Sequence, residues 1–341
     1  MKIIDAHVHM YNLDNAEVLY RTADRFGYNK INLLSLSSCA SLAQNIECAA
    51  CKLKYPERTY VFGGLEYNSG RDFRRQAELI AAMGFDGFKM LEGKPTTRKI
   101  LGIPLDSPRY DGFYDLLEET QLPLLMHVAD PHTFWDKSLI PNWALKNGWF
   151  YDDSFIPYEQ LYVEVDNLLA KHPKLKLILA HFYFLSWNIE RAKAMLDRYP
   201  NIYFDITSGI EMYQDFSKDV VIWAEFFETY AHRIIYGTDS TESAGANAHD
   251  ASINGAQLHF LRGVGVYTYG DWEIHGAMLS NTALEKILGG NFMRLTGPPK
   301  ILNVKRILEE RAFLTDLALK SNDDIALEKL CMLEKFLTHY V

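Results

Sequence analysis

Cysteine is scarce in this chain: four residues in 341, at positions 39, 48, 51 and 331. That number and spacing exclude the disulfide framework of a small secreted scaffold. Long apolar runs are missing too. No stretch of eighteen uninterrupted apolar residues occurs, so no membrane-spanning helix is expected. Basic charge is not in excess, since 35 Lys and Arg stand against 44 Asp and Glu, a formal net charge of −9. A general nucleic-acid surface needs a basic face and is not expected. Asp5 and His7 interrupt what would be the apolar region of a secretory leader. There is no internal repeat, low-complexity tract or linker. These absences lead to the expectation of a soluble cytoplasmic protein acting on a small molecule, without nucleic-acid or membrane partners. Homo-oligomerisation stays open.

ECAAC (47–51) is a C-x-x-C, which raises redox or zinc chemistry. It lies inside SLAQNIECAACKLKYP, which reads as a helix with no second Cys pair nearby. The thiols are therefore read as buried structural side chains.

What the chain does have is alternation on two scales. Short apolar, β-branched or aromatic runs recur at KIIDAHVH (2–9), KINLLSL (30–36), TYVFGGL (59–65), FDGFKML (85–91), LPLLMHV (122–128), KLILAHF (176–182), NIYFDIT (201–207) and RIIYGTD (233–239). Helical patterns lie between them near 14–27, 40–54, 70–83, 111–120, 157–171, 186–199 and 217–231, the sixth with Ser186 as its expected cap. ALEKILGGNFMRLTG (283–297) supplies a closing helix. Eight strand–helix units in series predict an α/β fold, a (β/α)8 TIM barrel over 1–298, against a doubly wound open sheet as the alternative. Residues 299–341 read as two amphipathic helices packed on its outside. The segments after strand 5 (129–156) and strand 8 (240–275) are long for such a barrel. They are expected to form binding walls or lids, the first being rich in aromatics.

Alternate residues of a strand share a face, so Asp5, His7 and His9 are expected to point the same way. His127 falls near the end of strand 5, His181 near the end of strand 6 and Asp239 at the end of strand 8, with Lys89 near the end of strand 4. In this fold the C-terminal strand ends carry the active site. A lone histidine there would be an ordinary hydrogen-bonded rim residue. Four of the chain's 11 histidines at such positions point instead to a metal site, because imidazole and carboxylate suit zinc and its neighbours and leave a position open for water.

D-A-H-V-H on a first strand, a His on strand 5, a His on strand 6 and an Asp on strand 8 resemble the amidohydrolase superfamily. The likeness is nearest to its amidohydrolase-related branch, which includes metal-dependent nonoxidative decarboxylases. ILGGNFMRLTG (287–297) is similar to that branch's final helix. The resemblance implies one divalent ion rather than two, zinc before manganese, iron or cobalt. His7, His9, His127 and Asp239 would be its ligands, and His181 and Asp239 would carry protons. Lys89 divides the reading. As a carbamate it would bridge a second ion with His127 and His181; as a free amine it would bind a substrate carboxylate or pair with Glu92. That lysine leans the expectation toward a hydrolase attacking an amide, lactone or ester carbonyl with metal-bound hydroxide. A decarboxylase of an unsaturated or aromatic acid is the alternative, and a non-catalytic metal- or ligand-binding barrel is the third reading. Arg98 after strand 4, and His132 and Trp135 after strand 5, are candidate substrate contacts, and Asp205 a hydrogen-bond partner of a ligand.

Overall fold

The computed structural model describes residues 1–38, 41–207, 209–242 and 248–340. Eight parallel strands follow one another in chain order: β1 (Ile3–Val8), β2 (Tyr28–Leu34), β3 (Thr59–Gly63), β4 (Gly87–Gly93), β5 (Leu124–Val128), β6 (Leu177–Leu179), β7 (Ile202–Asp205) and β8 (Ile234–Ile235). β8 returns to β1 through Ala6 N–H to the Tyr236 carbonyl at 3.0 Å and Asp239 N–H to the His7 carbonyl at 2.8 Å, closing the (β/α)8 barrel. Each expected strand is present; β2 and β4 are shifted by two residues, toward the N- and C-terminus respectively, and the other six are shorter than expected.

The helices are α1 (Ala16–Phe26), α2 (Gln44–Lys54), α3 (Phe73–Ala82), α4 (Pro95–Leu101), α5 (Asp111–Thr120), α6 (Asn142–Lys146), α7 (Tyr158–Lys171), α8 (Ile189–Arg198), α9 (Ile210–Lys218), α10 (Val220–Thr229), α11 (Ala248–Arg262), α12 (Asn281–Glu285), α13 (Asn291–Thr296), α14 (Val304–Ser321) and α15 (Asp324–Leu337). The cap of α8 is Asn188, not Ser186. The Asn188 side chain accepts from Arg191 N–H at 3.0 Å, whereas the Ser186 hydroxyl is spent on Asp215. α4 and α9 went unrecognised because each is a short insertion beyond a strand end. Cys48 and Cys51 are buried on α2, and burial pushes the Cys51 thiol up to about 11. Cys39 lies outside the described residues.

Ile4, Ala6, Leu34, Tyr60, Phe62, Leu125, Ile178, Ala180 and Ile235 fill the barrel, and Phe292 and Leu295 of α13 plug it. The GGN motif serves this closure. A Cβ on Gly289 would lie 2.7 Å from the Lys2 carbonyl, and the Asn291 amide donates to the Ala231 and Ile234 carbonyls at 2.7 and 2.6 Å. α14 and α15 are held on the outside. Asn303 N–H donates to the Met83 carbonyl, Arg71 pairs with Glu310 at 2.6 Å, and Lys329 pairs with Glu47 at 3.0 Å.

The strand alternation expected of Asp5, His7 and His9 is broken. Asp5 pairs with Ile31 and Val8 with Leu33, so three steps on β1 face two on β2. This bulge adds one residue and reverses which way the chain's later side chains point. Ile4 and Ala6 line the barrel, so Asp5 faces outward, where it takes Thr238 N–H at 3.0 Å and the Thr238 hydroxyl at 2.5 Å. His7 follows the bulge and faces the barrel axis. Asp5 therefore belongs to the β1–β8 seam, and burial raises its carboxyl to about 7.

Candidate metal centre

His7 and His9 leave β1 at its C-terminal end, and Asp239 sits on the turn after β8 with φ of 59°, a left-handed conformation costly for a residue with a Cβ. His7 Nε2 lies 3.3 Å from His9 Nε2, and Asp239 Oδ1 lies 3.5 and 3.2 Å from these two nitrogens. The opposite ring nitrogens are engaged. His7 Nδ1 lies 2.8 Å from buried Asp205 Oδ2, and His9 Nδ1 donates to the Leu34 carbonyl at 3.2 Å. A carboxylate and a carbonyl both accept, so each ring carries its proton on Nδ1 and turns a bare Nε2 inward. Burial and the nearby Lys89 charge lower His7 to about 4, keeping it neutral.

Three electron-pair donors thus face one another. Donors bonded at about 2.0–2.2 Å to one ion sit roughly 3.0–3.5 Å apart along the edges of its coordination polyhedron, the spacing found here. The donor set fits a divalent cation, with no preference for zinc over its neighbours. Gly237 makes room for the His7 side chain: a Cβ there would stand 2.8 Å from His7 Cβ and 2.9 Å from Thr207 Oγ1.

His127 and His181 line the same cavity but lie outside this triad. His127 Nε2 faces the Ala129 carbonyl at 2.9 Å and Asp130 at 3.3 Å, which leaves Nδ1 as the ring's acceptor. Its ring centroid is 4.8 Å from that of His181, which is 5.3 Å from that of His7. Burial lowers His181 to about 3, so it too is neutral. His181 opens a run of left-handed residues, His181 to Phe184 with φ of 50–56°. Asp205 steadies the start of that run by accepting His181 N–H at 2.7 Å. One buried carboxylate therefore orients His7 and fixes the backbone of His181; burial would raise it, but His7 holds it near 2. Lys89 Nζ is 3.4 Å from His7 Nε2, and Glu92 takes the Tyr67 hydroxyl at 2.9 Å.

The expected substrate contacts do not line the metal-side cavity. Arg98 is held by buried Glu164 at 3.0 Å. The Trp135 indole donates to the Ile156 carbonyl at 3.0 Å and anchors the loop. His132 packs tilted against Trp187, ring centres 4.4 Å apart, beside an adjoining cavity. In each case a partner distant in sequence has taken the side chain. The cavity of about 710 Å³ is walled instead by Phe134, Trp143, Trp149, Phe184, Tyr269 and Trp272, with Lys94 and Glu211 among its polar groups. Lys94 joins Asp130 at 2.9 Å and lies 4.6 Å from the Trp149 ring centre. Burial raises Glu211 to about 7. Tyr269 and Trp272 come from a hairpin, β9 (Val266–Tyr269) and β10 (Trp272–His275). Its signal was present in VYTYGDWEIH, where a two-residue Gly-Asp turn joins alternating runs.

A sequence model of the amidohydrolase family matches residues 40–295. The chain belongs to that family. The match begins after β1, so the motif bearing His7 and His9 lies outside it. No curated protein matches the chain by sequence. Among solved structures, 5-carboxyvanillate decarboxylase from Novosphingobium aromaticivorans, complexed with manganese and a nitrobenzoic acid, superposes with a TM-score of 0.54 at 14% identity, covering 86% of this chain and 96% of that one. 2,6-Dihydroxybenzoate decarboxylase from Rhizobium gives 0.52 at 16%, covering 87% and 98%. 4-Oxalomesaconate hydratase from Rhodopseudomonas palustris gives 0.53 at 14%, covering 95% and 99%. These likenesses establish a shared fold, and this chain is an enzyme of the amidohydrolase superfamily. Among the described residues no helix is long and apolar enough to cross a membrane.

Proposed function

We propose that this protein is a metal-dependent nonoxidative decarboxylase of a small aromatic or unsaturated carboxylic acid. The observation that carries the reading is the pairing of a compact His–His–Asp donor set with a lysine amine 3.4 Å away, beneath aromatic walls. The hydrolytic expectation rested on the full ligand set together with a lysine, Lys89, expected near the end of strand 4. The related folds named above are two decarboxylases and a hydratase, which favours the alternative. When bound, a divalent ion supplies positive charge for the substrate's oxygen atoms.

The protein's own groups supply the rest. Lys89 offers charge to a carboxylate beside the donor set. Phe134, Trp149, Phe184 and Trp272 form flat apolar walls that exclude water from a planar substrate. Loss of carbon dioxide leaves the electron pair of the broken bond on carbon, and a proton must quench it. His181 and Asp239 are the groups assigned to relay that proton from solvent to the carbon, and Asp205 keeps His181 in place. The test is to load chelator-stripped protein with manganese or zinc and offer hydroxylated benzoic and unsaturated acids beside amides, esters and lactones. Carbon dioxide release from an acid is expected. Turnover of an amide, ester or lactone with no carbon dioxide from any acid would return the assignment to hydrolysis.

A further inference from the structure

Away from the catalytic cavity, at the side of the barrel where α5 and α7 run into the next strands, His172 stands in an unusual setting. It caps the C-terminus of α7, is only 4% exposed, and neither ring nitrogen has a hydrogen-bond partner. Carboxylates nonetheless surround it. Asp115 Oδ1 and Glu118 Oε2 stand 3.4 and 3.7 Å from His172 Nδ1, and Asp111 Oδ1 stands 3.9 Å from Nε2. Asp115 and Glu118 are three apart on α5 and so share a helix face.

The neighbouring groups are otherwise spoken for. Lys171 takes Asp111 at 2.7 Å, and Lys174 N–H donates to Glu118 Oε1 at 2.6 Å, which leaves Glu118 Oε2 turned to the imidazole. The Tyr114 ring packs 5.3 Å from the imidazole and holds its plane. A buried imidazole flanked by carboxylate oxygens just beyond bonding distance, with its donor atom and theirs all within 4.8 Å of one another, has the spacing of ligands around an ion.

We propose that His172, Asp115 and Glu118 form a second divalent-metal site, structural in role, which clamps α5 to the end of α7. One imidazole nitrogen and two carboxylate oxygens suit zinc or cobalt better than magnesium or calcium. Two carboxylates neutralise the ion, and solvent beside the half-exposed Asp115 completes its coordination. The site is independent of the catalytic assignment, since no residue is shared with the His7–His9–Asp239 set.

Zinc titration of chelator-stripped full-length protein, read by calorimetry and by thermal unfolding, tests it. The expected result is two equivalents for the parent and one each for His172→Gln, Asp115→Asn and His9→Ala. The parent alone should gain a further rise in melting temperature on the second equivalent, because an ion bound only by the folded state stabilises it. Asp115→Asn alters a half-exposed side chain and keeps the experiment readable if His172→Gln folds poorly. Manganese-loaded Asp115→Asn should keep the parent's turnover. A parent that binds one equivalent, lost in His9→Ala, would overturn the proposal. So would a weak second equivalent that survives both substitutions, which marks an adventitious ion only.

Discussion

Asp205→Asn isolates the carboxylate on which the metal centre leans. The substitution preserves volume and keeps an oxygen for His181 N–H and Thr207 N–H, now 2.7 and 3.1 Å from Oδ1. It puts an amide NH₂ where Oδ2 faces His7 Nδ1 at 2.8 Å. Two donors cannot face each other, so the imidazole must move its proton to Nε2, the atom turned toward His9 and Asp239, or rotate away. Either response removes a donor from the triad. Loss of an outer-shell partner of this kind costs about 10–100-fold in metal affinity, or about 1.4–2.8 kcal/mol at 1.4 kcal/mol per tenfold. The assay is competition between protein and a chromophoric chelator for manganese or zinc, with thermal unfolding of the metal-free proteins alongside. The metal-free melting temperatures should agree closely, since the backbone contacts survive. A variant that binds metal within threefold of the parent would refute the tautomer argument, and a collapsed fold would show Asp205 to be mainly structural.

Four further outcomes follow from the geometry. His9→Ala and Asp239→Ala should each abolish activity and drop catalytic metal content below a tenth of an equivalent while leaving the unfolding transition intact; unfolded protein would make these residues structural. Gly237→Ala pushes a methyl to 2.8 Å from His7 Cβ, and should weaken metal binding at least tenfold with most of the fold's stability kept; unchanged binding would mean the strand end yields freely. Asp86→Asn leaves the buried Lys52 ammonium, now 2.6 Å from Asp86, without its counter-charge, and should cost about 3–5 kcal/mol in urea unfolding. A loss below about 1 kcal/mol would show that water reaches the lysine. Glu211 is raised to about 7 in the folded state from an ordinary value near 4.5, so the folded protein holds an extra proton between those values. Stability relative to Glu211→Gln should therefore fall as pH rises from about 4.5 to 7 and level off above; a flat difference would place Glu211 in open solvent.

The alternation of apolar runs with 3.6-residue patterns sufficed for the barrel, because eight strand–helix repeats leave few other ways to bury their faces. The same local pattern carried α14 and α15. It also located His7, His9, Lys89, His127, His181 and Asp239, since strand ends in this fold converge whatever lies between them. It did not reveal the bulge after Asp5, for a single extra residue in a ladder leaves no mark on composition. Nor did it show that Arg98 belongs to Glu164, that Trp135 belongs to the Ile156 carbonyl, or that Asp205 serves His7 and His181 together. Periodicity is a property of neighbours in the chain and can be read from them. Which donor meets which acceptor is settled by partners 21 to 198 residues away, and only the folded backbone brings them within bonding distance.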